Sequence, residues 1–201
     1  MALFELTGKT VVVTGAGSGI GRATALMVAS QGATVVVADI ADSAHETVTQ
    51  ITDAGGSARA AVGDISDPAV AEALIADADA DGSIVDVSSE AGIRGAAAGA
   101  AYTASKHGLI GLTRNTAYMY GKAGVRCNAI MPGGVETNIM ASIDQSKLDM
   151  EGLGVLGAVH AGALRNAKPD ELAALVVFLL AVEASNVNGA LIANDGGWSA
   201  G

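Results

Sequence analysis

Thr10–Gly21 reads TVVVTGAGSGIG, and its two halves call for different backbones. Thr10–Thr14 is β-branched throughout, which suits a buried strand. The glycines of Thr14–Gly21 let the chain turn sharply, and the pattern from Gly19 to Gln31 predicts a helix ended by Gly32. Working outward, Thr34–Ala38 (TVVVA) is a second strand, followed by a helix from about Ser43 to Ala54 and a turn at Gly55–Gly56. A third strand, about Ala58–Val62, leads through GDISDP to a helix starting near Pro68, where proline suits the first turn. Ser83–Val87 is the next strand. A long helix over Ala101–Tyr120, a strand over Val125–Met131, a helix over Pro169–Ala181 and a short strand at Ala190–Ala193 complete the pattern. Strands alternating with helices imply βαβ units around a parallel sheet, and no repeat or linker interrupts them, so residues 1–201 read as a single domain.

Composition agrees with that class. Half of the 201 residues are hydrophobic but only 3% are aromatic, so the core must come from Val, Ile, Leu and Ala, as in buried parallel strands. The formal charge of -10 argues against nucleic acid as a partner, because that affinity comes largely from Lys and Arg on phosphates. The longest apolar run, Leu172–Val182, falls short of the roughly 20 residues of a membrane span. Met1–Gly17 has no basic segment followed by a long apolar run, so a cytoplasmic protein without membrane contact is expected. The lone Cys127, in VRCNAIM, reads as an inert core thiol. His45, His107 and His160 lack metal-ligand spacing, and no metal is expected. Glu5, Asp42, Asp53 and the run Asp77–Asp81 read as solvated faces.

Two constellations carry chemistry. The glycine-rich turn lets a backbone approach a pyrophosphate, whose charge then meets the N–H groups opening the helix; a plain tight turn is the other reading. Asp39 ends the second strand, where a carboxylate accepts both ribose hydroxyls of NAD and repels the 2′-phosphate of NADP. An exposed loop aspartate is its bland alternative. In Tyr102-Thr-Ala-Ser-Lys106 the spacing of four puts Tyr102 and Lys106 on one helix face. A lysine ammonium beside a phenol favours the phenolate, which can pass a proton to or from a substrate oxygen. Taken alone such a pair is an ordinary helix surface, but Ser89 ends a strand shortly before it and offers a hydroxyl to the same oxygen.

With TGAGSGIG, Asp39, GDISD, IVDVSSEAG, YTASK, VRCNAIMPGGVET and DGGW in this order, the chain resembles the classical short-chain dehydrogenase/reductase family. The resemblance implies an α/β Rossmann-like, doubly wound parallel sheet with helices on both faces, and hydride transfer between a nicotinamide cofactor, here NAD, and a secondary alcohol or ketone. It implies Tyr102 as acid/base, Lys106 on the nicotinamide ribose and favouring the Tyr102 phenolate, and Ser89 orienting the carbonyl, with Ser88 the weaker candidate. Gly15, Ser18, Gly19, Ile20 and Gly21 would line the pyrophosphate, Asp64 and Ile65 the adenine, and Pro132, Gly133, Val135 and Thr137 the nicotinamide end. The stretch Asn138–Leu164 would be a lid whose apolar character suits a small apolar substrate; a plain helical excursion reads equally well. Family members form homo-oligomers, usually tetramers, through the helix carrying Tyr102 and a helix that has no counterpart here.

Relative to the family, roughly fifty residues are absent between GDISD and the serine strand, too many for an ordinary loop deletion. The fold is therefore expected to be shortened by one central strand and a helix. Either Thr10–Thr14 pairs directly with Ser83–Val87, making Val12 and Val85 ladder partners and moving Ser89, Tyr102 and Lys106 by roughly 4.8 Å, or the sheet opens. Asp86 stands where the family has asparagine, and a carboxylate inside a strand must be paired or protonated. The second functional reading is consequently a shortened, catalytically impaired relative that only binds nucleotide or serves a structural role.

Overall fold

A computed structural model describes residues 4–76, 82–139, 144, 146 and 148–201; the acidic run Asp77–Asp81 and part of the stretch after Asn138 lie outside them. The chain divides into two compact units, one of residues 1–82 with 169–185, the other of residues 83–168 with 186–201.

The first unit holds β1 (Thr10–Thr14), α1 (Gly19–Ser30), β2 (Thr34–Asp39), α2 (Ala44–Asp53), β3 (Ser57–Val62) and α3 (Pro68–Ala76), together with α6 (Pro169–Leu180) from late in the chain. The second holds β4 (Ser83–Val87), α4 (Ala100–Tyr120), β5 (Arg126–Pro132), α5 (Met150–His160) and β6 (Leu191–Asn194). Every predicted element is present, with ends shifted by a residue or so. The excursion after Asn138 contributes helix α5 among the described residues.

In the first unit β1, β2 and β3 form a parallel sheet in that order, with Val12 opposite Val36 and Val36 opposite Arg59. Strand β2 is central, and Val35, Val36 and Val37 are fully buried, as a strand covered on both faces requires. Helix α6 packs on α1, joining Val177 and Ala181 to Ala25, Val28 and Val35 in one apolar cluster. In the second unit β4, β5 and β6 form a parallel sheet in that order, with Val85 opposite Asn128 and Ile130 opposite Ile192.

Val12 and Val85 are thus not partners: among the described residues no ladder joins β1 to β4, and each is the end strand of a three-stranded sheet. The direct pairing does not form, and the parallel sheet is divided instead. Strand β4 is only partly covered. Ile84 is 41% exposed, because a strand with a ladder partner on one side only has lost half of its in-plane cover. Among the described residues no helix is long and apolar enough to cross a membrane.

Candidate functional site

The glycine turn in the first unit needs glycine at Gly15 for its backbone and at Gly21 for close packing. Gly15 has φ +66°, and a Cβ on Gly21 would stand 2.1 Å from the Gly15 carbonyl oxygen, so α1 starts directly against the turn. Ser18, the residue capping α1, is extended, its side chain makes no capping bond, and no acidic residue occupies the first turn. The N–H groups at Gly19, Ile20 and Gly21 therefore open the helix without a neutralising side chain, the setting in which a phosphate is held. These residues fit a dinucleotide pyrophosphate.

Asp39 ends β2, and both its oxygens are oriented by backbone: Oδ2 accepts from Gly17 N–H at 2.8 Å and Oδ1 from Ala41 N–H at 2.9 Å. A carboxylate oxygen has a further lone pair after one such bond, so the group remains able to accept from ribose hydroxyls. A Cβ on Gly17 would meet Ser43 Oγ at 2.3 Å and Asp39 Oδ2 at 2.9 Å, which explains that glycine. The Gly63 N–H donates to the Asp39 carbonyl at 2.9 Å and brings the following Asp64 and Ile65 to the same sheet end. Ile65 is 53% exposed. Asp64 accepts from Ser66 N–H at 2.9 Å, and that bond holds its carboxyl below the usual value.

In the second unit Ser88 and Ser89 separate cleanly. Ser88 is buried and donates to the Lys106 carbonyl at 3.2 Å, a bond that ties β4 to α4. Ser89 opens the single helical turn Glu90–Gly92, its Oγ accepting from Ala91 N–H at 3.2 Å, and is half-buried. The turn packs closely on α4: a Cβ on Gly92 would stand 2.7 Å from Ile110 Cδ1 and 3.1 Å from the Lys106 carbonyl. On α4, Lys106 Nζ donates to the Val87 carbonyl at 2.9 Å and lies 5.4 Å from the Tyr102 ring centroid. Burial holds the Lys106 ammonium below its ordinary value, with Asp86 opposing. Tyr102 is 45% exposed.

Asp86 is paired, as its position demands: Thr113 Oγ1 donates to its Oδ2 at 2.6 Å and Cys127 Sγ lies 3.5 Å from the same oxygen. Burial, then Asp86, pushes the Cys127 thiol up to about 12, so it is an inert core thiol. Pro132 ends β5. Beyond it Val135 bridges Ala167, and Thr137 Oγ1 accepts from Ile139 N–H at 3.4 Å. His107 and His160 meet the Thr103 and Ala97 carbonyls, His45 is exposed, and no group able to hold a metal occurs among the described residues.

A family model described as short chain dehydrogenase matches residues 9–81, and one described as Enoyl-(Acyl carrier protein) reductase matches 76–199. The short chain dehydrogenase adrF of Penicillium roqueforti is 32% identical over 246 aligned positions, covering 94% of this chain and 96% of its own. The chain belongs to the short-chain dehydrogenase/reductase family. Its Rossmann-like α/β fold is that of solved family structures. A structure from Beutenbergia cavernae described with bound NADP has 32% identity, coverage of 100% of both chains and a TM-score of 0.82. A short chain dehydrogenase from Mycobacterium paratuberculosis bound to NAD has 26% identity, coverage of 98% of this chain and 100% of its own, and a TM-score of 0.83. A higher identity, 48%, is found with the short-chain dehydrogenase/reductase cdmF of Talaromyces verruculosus, over 124 residues. That match takes in 59% of this chain and 48% of cdmF, so in this comparison the chain spans about half the length of its relative.

Two groups of short-chain dehydrogenase/reductase residues escaped the motifs. Arg22 donates from Nε to Thr47 Oγ1 at 3.0 Å, reaches the Gly17 carbonyl and pairs with Glu46 at 3.0 Å, while buried Thr47 donates to the Ala16 carbonyl at 2.9 Å. Together they brace the glycine turn from α2. Nothing in the sequence marks this, because Thr47 lies 31 positions from Ala16. The second group surrounds Glu90, which is buried beside Arg94.

Proposed function

We propose that this chain is an NAD(H)-dependent oxidoreductase interconverting a secondary alcohol and a ketone, in one dinucleotide-binding and catalytic domain, in the cytoplasm. The observation that carries the reading is the half-buried lysine on the Tyr102 face of α4, with its ammonium 5.4 Å from the phenol ring and the helical turn opened by Ser89 packed on the same helix. A bound nicotinamide cofactor supplies or accepts the hydride. Gly15, Ser18, Gly19, Ile20 and Gly21 would hold its pyrophosphate, Asp39 its adenosine ribose, Asp64 and Ile65 its adenine, and Pro132, Gly133, Val135 and Thr137 its other end. Asp39 favours NAD, since a carboxylate fixed by two backbone N–H groups repels a 2′-phosphate. Tyr102 moves the proton at the substrate oxygen, Lys106 favours its phenolate and reaches the nicotinamide ribose, and the Ser89 hydroxyl donates to the reacting oxygen. A small apolar substrate suits the exposed Leu153 and Val155 of α5. No nucleic-acid or membrane partner is called for; a homo-oligomer fits the family.

One observation favours the second reading, a shortened relative impaired in catalysis. The short chain dehydrogenase ausX of Penicillium brasilianum aligns over 257 positions against a chain of 201 residues, so at least 56 columns are gaps here. Titrating NADH fluorescence alongside turnover with NAD and a panel of secondary alcohols separates the two. Binding with turnover supports the oxidoreductase; binding without turnover supports the impaired relative; no binding removes the oxidoreductase and leaves the shortened relative only a structural role.

A further inference from the structure

Glu90 is the second residue of the turn opened by Ser89 and is 1% exposed, yet neither of its carboxyl oxygens receives a hydrogen bond. The Asp195 carboxyl lies within hydrogen-bonding reach of it. Asp195 is already fixed: Oδ1 accepts from Gly197 N–H and Oδ2 from Ser199 N–H, each at 2.8 Å. Arg94 pairs with Glu90, its Nε 3.2 Å from Glu90 Oε2, and Arg165 lies beside Gly196, where a Cβ would stand 3.9 Å from its Nε. Arg94 Nη2 donates to the Trp198 carbonyl at 2.5 Å and to that of Gly201 at 3.3 Å, and the Arg94 guanidinium lies 5.6 Å from the Trp198 ring centroid. His160 of α5 meets the same ring edge-on at 5.7 Å. Glu90 and Asp195 are thus two buried carboxyls side by side, and a buried carboxylate short of donors is costly.

We propose that Glu90 and Asp195 hold one proton between them, and that this proton makes Glu90 a positioning residue for Ser89. The Ser89 part rests on the oxidoreductase reading; the shared proton does not. Protonated Glu90 donates to Asp195, an arrangement that gives both groups a hydrogen bond. Two facing carboxyls cannot both ionise freely, and their surroundings decide which one keeps the proton. Burial works against the Asp195 carboxylate, but the Ser199 hydroxyl and the Gly197 and Ser199 N–H groups bring it down to about 2. Burial first, then Asp195, pushes Glu90 up to about 7, with Arg94 and the Ser199 hydroxyl opposing.

The pair joins two pieces of the proposed site. Ser89 shares its turn with Glu90 and is held there by two N–H groups: Ala91 donates to its Oγ at 3.2 Å and Gly92 to its carbonyl at 2.8 Å. Asp195 packs on the start of the nicotinamide stretch, where a Cβ on Gly133 would stand 3.0 Å from Asp195 Cβ, and Gly133 N–H donates to the Asn194 carbonyl at 3.3 Å. For a carboxyl raised above its unfolded value the stabilisation is complete below about 4.5 and is lost as pH rises through about 7. Above neutrality the two carboxylates repel, and Ser89 shifts with its turn.

The test is a pH titration of the intact chain from about pH 5.5 to about pH 8.5, following the carboxylic-acid infrared band and the backbone amide resonances of Ala91 and Gly92. The wild type is expected to lose a protonated carboxyl band with an apparent pKa near 7, and the two amides are expected to shift with the same midpoint. Glu90→Gln, which donates to Asp195 but cannot ionise, is expected to remove the band and flatten both amide titrations. Absence of the band from the wild type below neutrality overturns the shared proton; a band without the amide shifts overturns the positioning role. Both readouts hold if Glu90→Gln fails to fold, since the wild type carries them. Both are independent of turnover, so failure of the oxidoreductase reading would be recognised separately.

Discussion

Asp39 shows how much a single carboxylate can decide. Its oxygens are aimed by the N–H groups of Gly17 and Ala41, and the glycine at 17 is dictated by that contact, since any Cβ there would run into Asp39 and Ser43. Asp39→Asn keeps the shape and removes the charge. We expect NADPH to gain on NADH by at least about tenfold, ~1.4 kcal/mol, in paired fluorescence titrations; an unchanged ratio would mean the carboxylate does not face the ribose. At this scale the sequence was readable wherever chemistry and spacing coincide, as for Asp39, Tyr102 and Lys106. Glu90 was not readable, because its environment is created by Asp195, more than a hundred positions away in the chain.

The elements hold these residues through contacts between turns and helices. Strand β2 was legible because a central parallel strand must be apolar on both faces, and Val35–Val37 are. Strand β4 carries the same kind of sequence but has a ladder partner on one side only, which local pattern does not reveal. The glycine turn depends on α2 through Thr47, fully buried and bonded to the Ala16 carbonyl and Arg22. Thr47→Val keeps the volume and leaves that carbonyl without its donor. A loss of about 1–3 kcal/mol is expected, read from urea unfolding, together with weaker NADH binding. Retained stability would show that water replaces the hydroxyl.

For the whole molecule, the alignment gaps and the division of the sheet point the same way. β1 and β4 each end a three-stranded sheet, and the alignment with ausX leaves at least 56 gap columns in this chain. The gap could be seen in the sequence because the family motifs keep their order around it. Its outcome could not, since direct pairing and an open sheet satisfy the same local preferences. Inserting the corresponding strand and helix of a full-length relative between Ile75 and Ser83 is expected to raise turnover by at least about tenfold, measured as NADH formation; no gain would locate the limit elsewhere. The claim that joins residue, element and molecule is that Tyr102 moves the proton in an NAD-dependent oxidation. It is tested most directly by NADH formation from NAD and a panel of secondary alcohols with the wild type and Tyr102→Phe side by side. The account predicts measurable wild-type turnover that falls at least about 100-fold in Tyr102→Phe while NADH binding is kept; wild-type turnover that survives the substitution would contradict it.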